Sequence, residues 1–242
     1  MTAPERTRIE VRIGRRGFLG VEAVAGEEDL SGPLFAVNLL DRRRPWAYEL
    51  YGLLVVRSVL KSGARIVFKG HRRRVLLGDP ADARETLLIV RYPAPEAFLN
   101  MVRRPYFAAM SLFRRVGLGD FHFGFIRSLV TGPEVPARPR PYTGDNAYLL
   151  STLRGDAAGL AEAGRRPTGE PFFAGRTIAA LCARRAGETA ARPTRLAPPL
   201  GWSAILLHEG PEAELEELAR GRLAGLVADA ERATCVLYRR KI

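Results

Sequence analysis

One order of apolar runs occurs twice in this chain, and that repetition constrains the fold more than any single motif. In the first half an apolar strand with one polar residue, Leu34 to Leu40, is followed by a helix, an inner apolar run from Thr86 to Tyr92, a Pro95-Glu96-Ala97 helix start and a last strand from Phe121. In the second half Ala147 to Leu153, Ser203 to His208, Pro211-Glu212-Ala213 and Thr234 to Tyr238 follow in the same order. A β-α-β-β-α-β unit covers one sheet face with its own helices and leaves the other face for a partner. Two such units predict an α+β protein whose two sheets pack face to face, with a binding cavity between them.

The chain is long enough for this. Its 242 residues, 47% of them hydrophobic, suffice for two compact units with cores of their own. The net charge of +12 invites a nucleic-acid partner, yet of 38 basic residues only Lys61, Lys69 and Lys241 are lysines, leaving 35 arginines. That skew reads as the composition of a GC-rich bacterial genome, and the clusters at Arg42 to Arg44 and Arg72 to Arg74 carry no interleaved aromatics. No specific nucleic-acid partner is expected. Cys182 and Cys235 lie far apart in apolar segments, which predicts small buried hydrophobes and no disulfide or metal site. No apolar run reaches the length of a membrane span and the amino terminus lacks a signal-peptide core, so the expectations are a cytoplasmic protein and no membrane partner.

Residues 1–31 read as an added amino-terminal piece, with Ile9, Val11 and Ile13 alternating as in a strand and glycines at 14, 17 and 20 ending it, as in a hairpin. Residues 32–131 form the first unit. Within it Leu50, Leu53, Leu54 and Leu60 recur at helical spacing before the stop signal Ser62-Gly63, and two short strands, Arg65 to Phe68 and Val75 to Leu77, flank a basic turn containing an exposed His71. Pro105 divides the next helical stretch in two. Residues 132–145 carry four prolines and read as a stiff linker. The second unit then spans 146–242, with a short alanine-rich helix over 156–166, a strand from Arg176 to Cys182 and a loop over 192–199.

Asn38-Leu39-Leu40, Gly63 to Gly70, Leu77-Gly78-Asp79 and above all Leu88-Ile-Val-Arg-Tyr-Pro-Ala-Pro-Glu-Ala-Phe-Leu-Asn-Met-Val102 carry a family resemblance. Residues 34–129 resemble the domain-of-unknown-function family thirteen-thirty of the dimeric α+β barrel superfamily. Pro105-Tyr106 approximates that family's Pro-x-Tyr helix start with one residue missing, and the second half lacks the motif, as a degenerate copy would. The resemblance implies tandem ferredoxin-like units that form an intrachain barrel, a pseudo-dimer, in the chain as monomer or homodimer. The superfamily includes cofactor-independent monooxygenases, isomerases, polyketide cyclases and haem enzymes, so the fold chooses no reaction.

Strand alternation selects candidate residues. Phe121, Phe123 and Phe125 share one face of the last strand and suit the helix-packed core, which turns His122 and Gly124 toward a cavity. Arg91 shares a face with Leu87 and Ile89, and Asn38 with Ala36, so Asn38, Arg91 and His122 are expected to converge. Alignment of the halves sets Ser151 against Asn38, His208 against Arg91 and Thr234 against His122. Tyr51 and Tyr92 join these as substrate-binding candidates, within a set of aromatics (Trp46, Tyr48, Tyr106, Trp202) that suits either a planar ligand or core. The same polar residues suit strand-end hydrogen bonding equally well.

These readings predict a bacterial biosynthetic enzyme that takes a small hydrophobic molecule and performs cyclisation, isomerisation or cofactor-free oxygenation. His122 would act as general acid or base, with Arg91 and Asn38 stabilising an enolate oxygen. No phosphate loop, nucleophile elbow or paired metal-binding histidines occur, so no cofactor is expected. The alternatives are a non-catalytic binding or assembly module, and a haem protein with His122 or His208 as axial ligand.

Overall fold

The computed structural model describes residues 7–13, 19–25, 32–128, 146–154, 173–183, 204–221, 223–225 and 232–241. The first two strands, β1 (Thr7–Ile13) and β2 (Leu19–Ala25), pair antiparallel as the expected hairpin. The next eight are β3 (Leu34–Arg42), β4 (Arg65–Leu77), β5 (Thr86–Tyr92), β6 (Leu118–Ser128), β7 (Asn146–Arg154), β8 (Phe173–Ala183), β9 (Ala204–Pro211) and β10 (Arg232–Arg240). They close into a barrel in the order β10-β4-β5-β3-β6-β8-β9-β7, antiparallel at every pairing.

That order contains one arrangement twice. The first unit runs β4-β5-β3-β6 and the second β8-β9-β7-β10, each with its first and third strands central, as in a ferredoxin-like sheet. The seams β6–β8 and β4–β10 join the sheets edge to edge, so the chain forms an α+β barrel from two ferredoxin-like units. Closure leaves neither sheet with an open edge. The linker 132–145, the helix at 156–166 and the loop at 192–199 lie outside the described residues.

Helices α1 (Pro45–Lys61), α2 (Pro95–Val102) and α3 (Pro105–Gly117) serve the first sheet, and α4 (Glu212–Arg220) the second. Each of the first three begins with proline, whose missing N–H is no loss at a helix start. α1 ends at Ser62, whose hydroxyl donates to the Val59 carbonyl at 2.6 Å, and at Gly63, whose φ of 75° suits a residue without a Cβ. At the other end of the α1–α3 pair, a Cβ on Gly117 would stand 2.5 Å from the Tyr48 nitrogen, so only glycine lets α3 end against the start of α1.

Three apolar layers follow. The barrel interior is filled by Phe35, Val37, Leu39, Phe68, Leu87, Ile89 and Ile126 from the first sheet, and Tyr148, Leu150, Ile205, Leu207, Val236 and Tyr238 from the second. Eight strands make a barrel just wide enough for such side chains to fill. A second layer lies between the first sheet and its helices, around Ala36, Val90, Phe98, Phe123 and Phe125, and a third between the second sheet and α4.

Three local expectations need correction. β4 is one strand of 13 residues, with no turn at the basic segment, because Arg72, Arg74 and Val75 all pair with β10. His71 is partly buried in that strand, with Nδ1 3.3 Å from the Thr86 hydroxyl and 3.9 Å from Glu85. On α1 the inward residues include Tyr48, Tyr51, Leu54, Val55 and Val59, so of the expected leucines Leu54 packs against the core, whereas Leu53 and Leu60 face outward.

Candidate functional site

Beneath the helices, the first sheet leaves a cavity of about 80 Å³. Its floor is Ala36, Asn38 and Leu40 of β3, Leu88, Val90 and Tyr92 of β5, and Phe121 and Phe123 of β6; its roof includes Tyr48, Tyr51, Val55 and Val59 of α1 and Arg114 of α3. The floor is small at Ala36 and short at Asn38, which is where the space arises. Asn38 reaches the cavity from the middle of its strand, its amide nitrogen 3.4 Å from both the Ala36 and the Leu88 carbonyls. Those bonds are long, so the backbone holds the amide only weakly.

The polar groups of this cavity are mainly hydrogen-bond donors. Desolvation pushes the phenol pKa values of Tyr48, Tyr51 and Tyr92 well above the ordinary tyrosine range, against the opposing pull of the nearby Arg114 cation. The phenols therefore stay protonated. Arg114 itself lies over the Phe121 ring, 5.2 Å from its centroid. Among the described residues no carboxylate, histidine, lysine or cysteine lines the space, so none of those side chains there is suited to take a proton at neutral pH. What the arrangement can do is hold an apolar ring and stabilise negative charge on an oxygen attached to it.

The expected convergence of Asn38, Arg91 and His122 does not occur. Asn38 is in register with Leu88 and Phe123, on the helix side of the sheet, while Arg91 and His122 pair with the barrel-facing residues Phe35 and Leu39. The two barrel-facing residues also lie apart. Leu39 pairs with Leu87, four residues before Arg91 and roughly 13 Å along the strand at the usual rise.

His122 packs at one barrel end inside a charged network. Its Nε2 is 3.1 Å from a guanidinium nitrogen of Arg84, which also donates to the Ala81 and Ala83 carbonyls at 2.7 and 3.2 Å and lies 3.7 Å from Asp41. Arginine only donates, so Nε2 accepts and the neutral ring carries its proton on Nδ1. Tyr238 donates to the Arg84 carbonyl at 2.9 Å, and the Glu85 backbone N–H to Asp41 at 2.8 Å. Arg42 pairs with Glu85 and holds that carboxyl below its ordinary range. A largely buried, hydrogen-bonded cluster of this kind fixes the β4–β5 connection.

The remaining candidates also divide between faces. Tyr51 and Tyr92 line the cavity. Ser151 faces α4, its hydroxyl 3.4 Å from the sulfur of Cys235, which is buried as expected; the Cys182 side chain lies outside the described residues. Thr234 faces the barrel, its hydroxyl oxygen 2.6 Å from that of Thr152. His208 shares the α4 side with Leu149 and Leu206, and desolvation lowers its pKa to about 4. Register shows where the alignment of the halves slips. Asn38 pairs with Leu88 and Phe123 as Ser151 pairs with Leu206 and Cys235, so His208 corresponds to Val90 and not to Arg91.

Sequence reading missed Arg114 as a cavity residue and placed Tyr48 only among aromatics that suit either a planar ligand or core. The signal for Tyr48 was helical spacing: 48, 51, 55 and 59 trace one face of α1, a stripe of aromatic and β-branched residues. Trp46 and Tyr106 are exposed, and Trp202 lies outside the described residues. A haem does not suit His122 or His208 as axial ligand: the His122 Nε2 faces Arg84, His208 is buried beneath α4, and the cavity is far smaller than a porphyrin. Among the described residues no group of three metal-ligating side chains occurs.

The architecture is that of dimeric α+β barrel proteins, here within one chain. A solved structure of an anthrone oxidase-like protein matches with a TM-score of 0.51 at 11% identity, covering 88% of this chain and 92% of that one. A protein of unknown function from Rhodopseudomonas palustris matches at 23% identity over 41% of this chain and 84% of its own, with a TM-score of 0.39. A candidate monooxygenase from Lactobacillus acidophilus matches at 10% identity over 87% and 94%, with a TM-score of 0.43. No family model and no curated protein matches the sequence. Among the described residues no helix is long and apolar enough to cross a membrane.

Proposed function

We propose that this chain binds a small hydrophobic molecule with an acidic oxygen, such as a single-ring phenol or an enolisable ketone, in the cavity between the first sheet and α1–α3. The observation that carries this reading is the lining: an apolar space with Asn38, three phenols held protonated and the Arg114 cation, and, among the described residues, no base. Such a set favours the ligand's anion over its neutral form. Isomerisation, cyclisation and oxygenation by dioxygen without a bound cofactor can all begin from an enolate or phenolate, so this site would serve such chemistry by stabilising that anion. The anion would enter preformed or lose its proton to solvent. In this proposal the oxyanion-stabilising role expected of Arg91 and Asn38 falls to Asn38, Tyr48, Tyr51, Tyr92 and Arg114, while the acid/base role expected of His122 passes to none of these residues.

An anthrone is itself a ketone that tautomerises to a phenol, which is in keeping with this ligand class, although its three fused rings exceed the present cavity. Binding without turnover is a second reading, favoured by a volume below the several hundred Å³ usual for substrate pockets and by a lining that, among the described residues, includes no base. Residues 32–131 and 146–242 are taken as the two units, the first related to the family of unknown function and the second its diverged copy.

Calorimetric titration with a series of substituted phenols, followed by assays for product and oxygen uptake, tests both readings. Affinity that rises as the phenol becomes more acidic supports the proposal, and turnover of any bound member separates enzyme from carrier. No binding across the series would refute it.

A further inference from the structure

Every exposed large hydrophobic side chain among the described residues lies on two helices that pack together. Trp46, Leu53 and Leu60 project from α1 at seven-residue spacing, with Leu53 74% and Trp46 60% exposed, and Tyr106, Leu112, Phe113 and Val116 project from α3. The Tyr106 hydroxyl donates to the Leu54 carbonyl at 3.4 Å, which sets the two rows side by side. An apolar surface formed by two adjacent helices is larger than scattered exposed residues would make, and such patches mark interaction sites.

The charge around it is mostly positive. Arg43 and Arg44 precede α1, Arg57 and Lys61 lie within it, Arg103 and Arg104 precede α3 and Arg115 lies within it, all of them exposed. Glu49 is the one exposed carboxylate on these two helices. A second copy of the chain would bring these cations against their own kind, which disfavours a symmetric dimer through this face. Aromatic and aliphatic side chains interspersed with and flanked by basic side chains match the interface of an anionic bilayer: the rings and leucines enter the acyl boundary and the guanidiniums meet lipid phosphates.

From this composition we infer that the outer face of α1 and α3 docks reversibly on an anionic lipid surface. The inference does not depend on what the cavity beneath those helices binds. It also differs from the nonspecific attraction of a net charge of +12, because the apolar residues make a contribution that salt does not screen.

Co-sedimentation of the full chain with phosphatidylcholine vesicles, with and without phosphatidylglycerol, tests it, using Trp46 as fluorescence reporter in a Trp202→Phe background. The docking surface predicts binding to the anionic vesicles that survives physiological ionic strength and shifts the Trp46 emission to the blue. The triple substitution Leu53→Ser, Leu112→Ser and Phe113→Ser leaves the net charge unchanged and should weaken partitioning roughly tenfold or more. Equal binding by that variant would reduce the effect to net charge and overturn the inference, as would loss of wild-type binding at physiological salt. Analytical ultracentrifugation supplies a further contradiction: a soluble dimer that the triple variant converts to monomer would give the face to a second copy.

Discussion

Asn38 sits in the middle of a strand with apolar neighbours on both sides, held to two backbone carbonyls only by bonds of 3.4 Å. If its amide serves a ligand oxygen, Asn38→Leu should weaken phenol binding by up to about tenfold while shifting stability by no more than about 1 kcal/mol. A large loss of stability with unchanged affinity, measured by denaturation and calorimetry on one sample, would assign Asn38 to the fold. His208 gives a residue-scale prediction of a different kind. Its folded pKa of about 4 lies below the ordinary 6.5, so the unfolded chain binds more protons between these values and stability falls as pH drops from about 6.5 to 4. The loss should be on the order of a few kcal/mol, and His208→Leu should flatten stability against pH in that window. Glu85, held below its ordinary range chiefly by its hydrogen bond to Arg42, adds a further loss as pH falls below about 4.5.

At the scale of elements, the face of β6 was legible and the register of β3 was not. Three phenylalanines at 121, 123 and 125 can alternate only onto one face, and they pack under the helices, with the Phe125 ring edge-on to Phe98 and Phe123 at 4.8 and 4.9 Å. Phe125→Ala should therefore cost about 3–5 kcal/mol in denaturant unfolding, the range for an aromatic removed from a closed core. In β3 both faces are apolar because both are covered, so alternation carried no sign and Asn38 was turned to the wrong side. Two of the leucines of α1 misled for a related reason: Leu53 and Leu60 have helical spacing but form an exposed stripe, while tyrosines, valines and Leu54 take the inner one. Gly117 belongs to this scale as well. Gly117→Ala should separate the α1–α3 pair and cost about 1–3 kcal/mol, read from the same denaturation curves.

For the whole molecule, the repeated order of apolar runs was enough to anticipate two ferredoxin-like sheets, because strand order follows from connection lengths and the need to cover each sheet. It could not show that the layer beneath α1–α3 would keep a space. That depends on side-chain volumes summed across partners distant in sequence, as where Phe35 and Phe68 of one unit meet Tyr148 and Tyr238 of the other and fill the barrel. The closed seams predict that the halves, expressed separately with the cut in the 132–145 segment, will be insoluble or will self-associate, and that co-expression will restore a soluble pair; two soluble monomeric halves would count against the shared interior. In the proposed function a ligand enters between the first sheet and its helices and not the barrel. Methyl-detected NMR during titration with a small phenol distinguishes the two, since both spaces carry methyl groups. A phenol in the cavity should shift chiefly Leu40, Val55, Val59, Leu88, Val90 and Met101, and shifts confined to Val37, Leu39, Ile89, Ile205 and Val236 of the barrel interior would overturn the proposal.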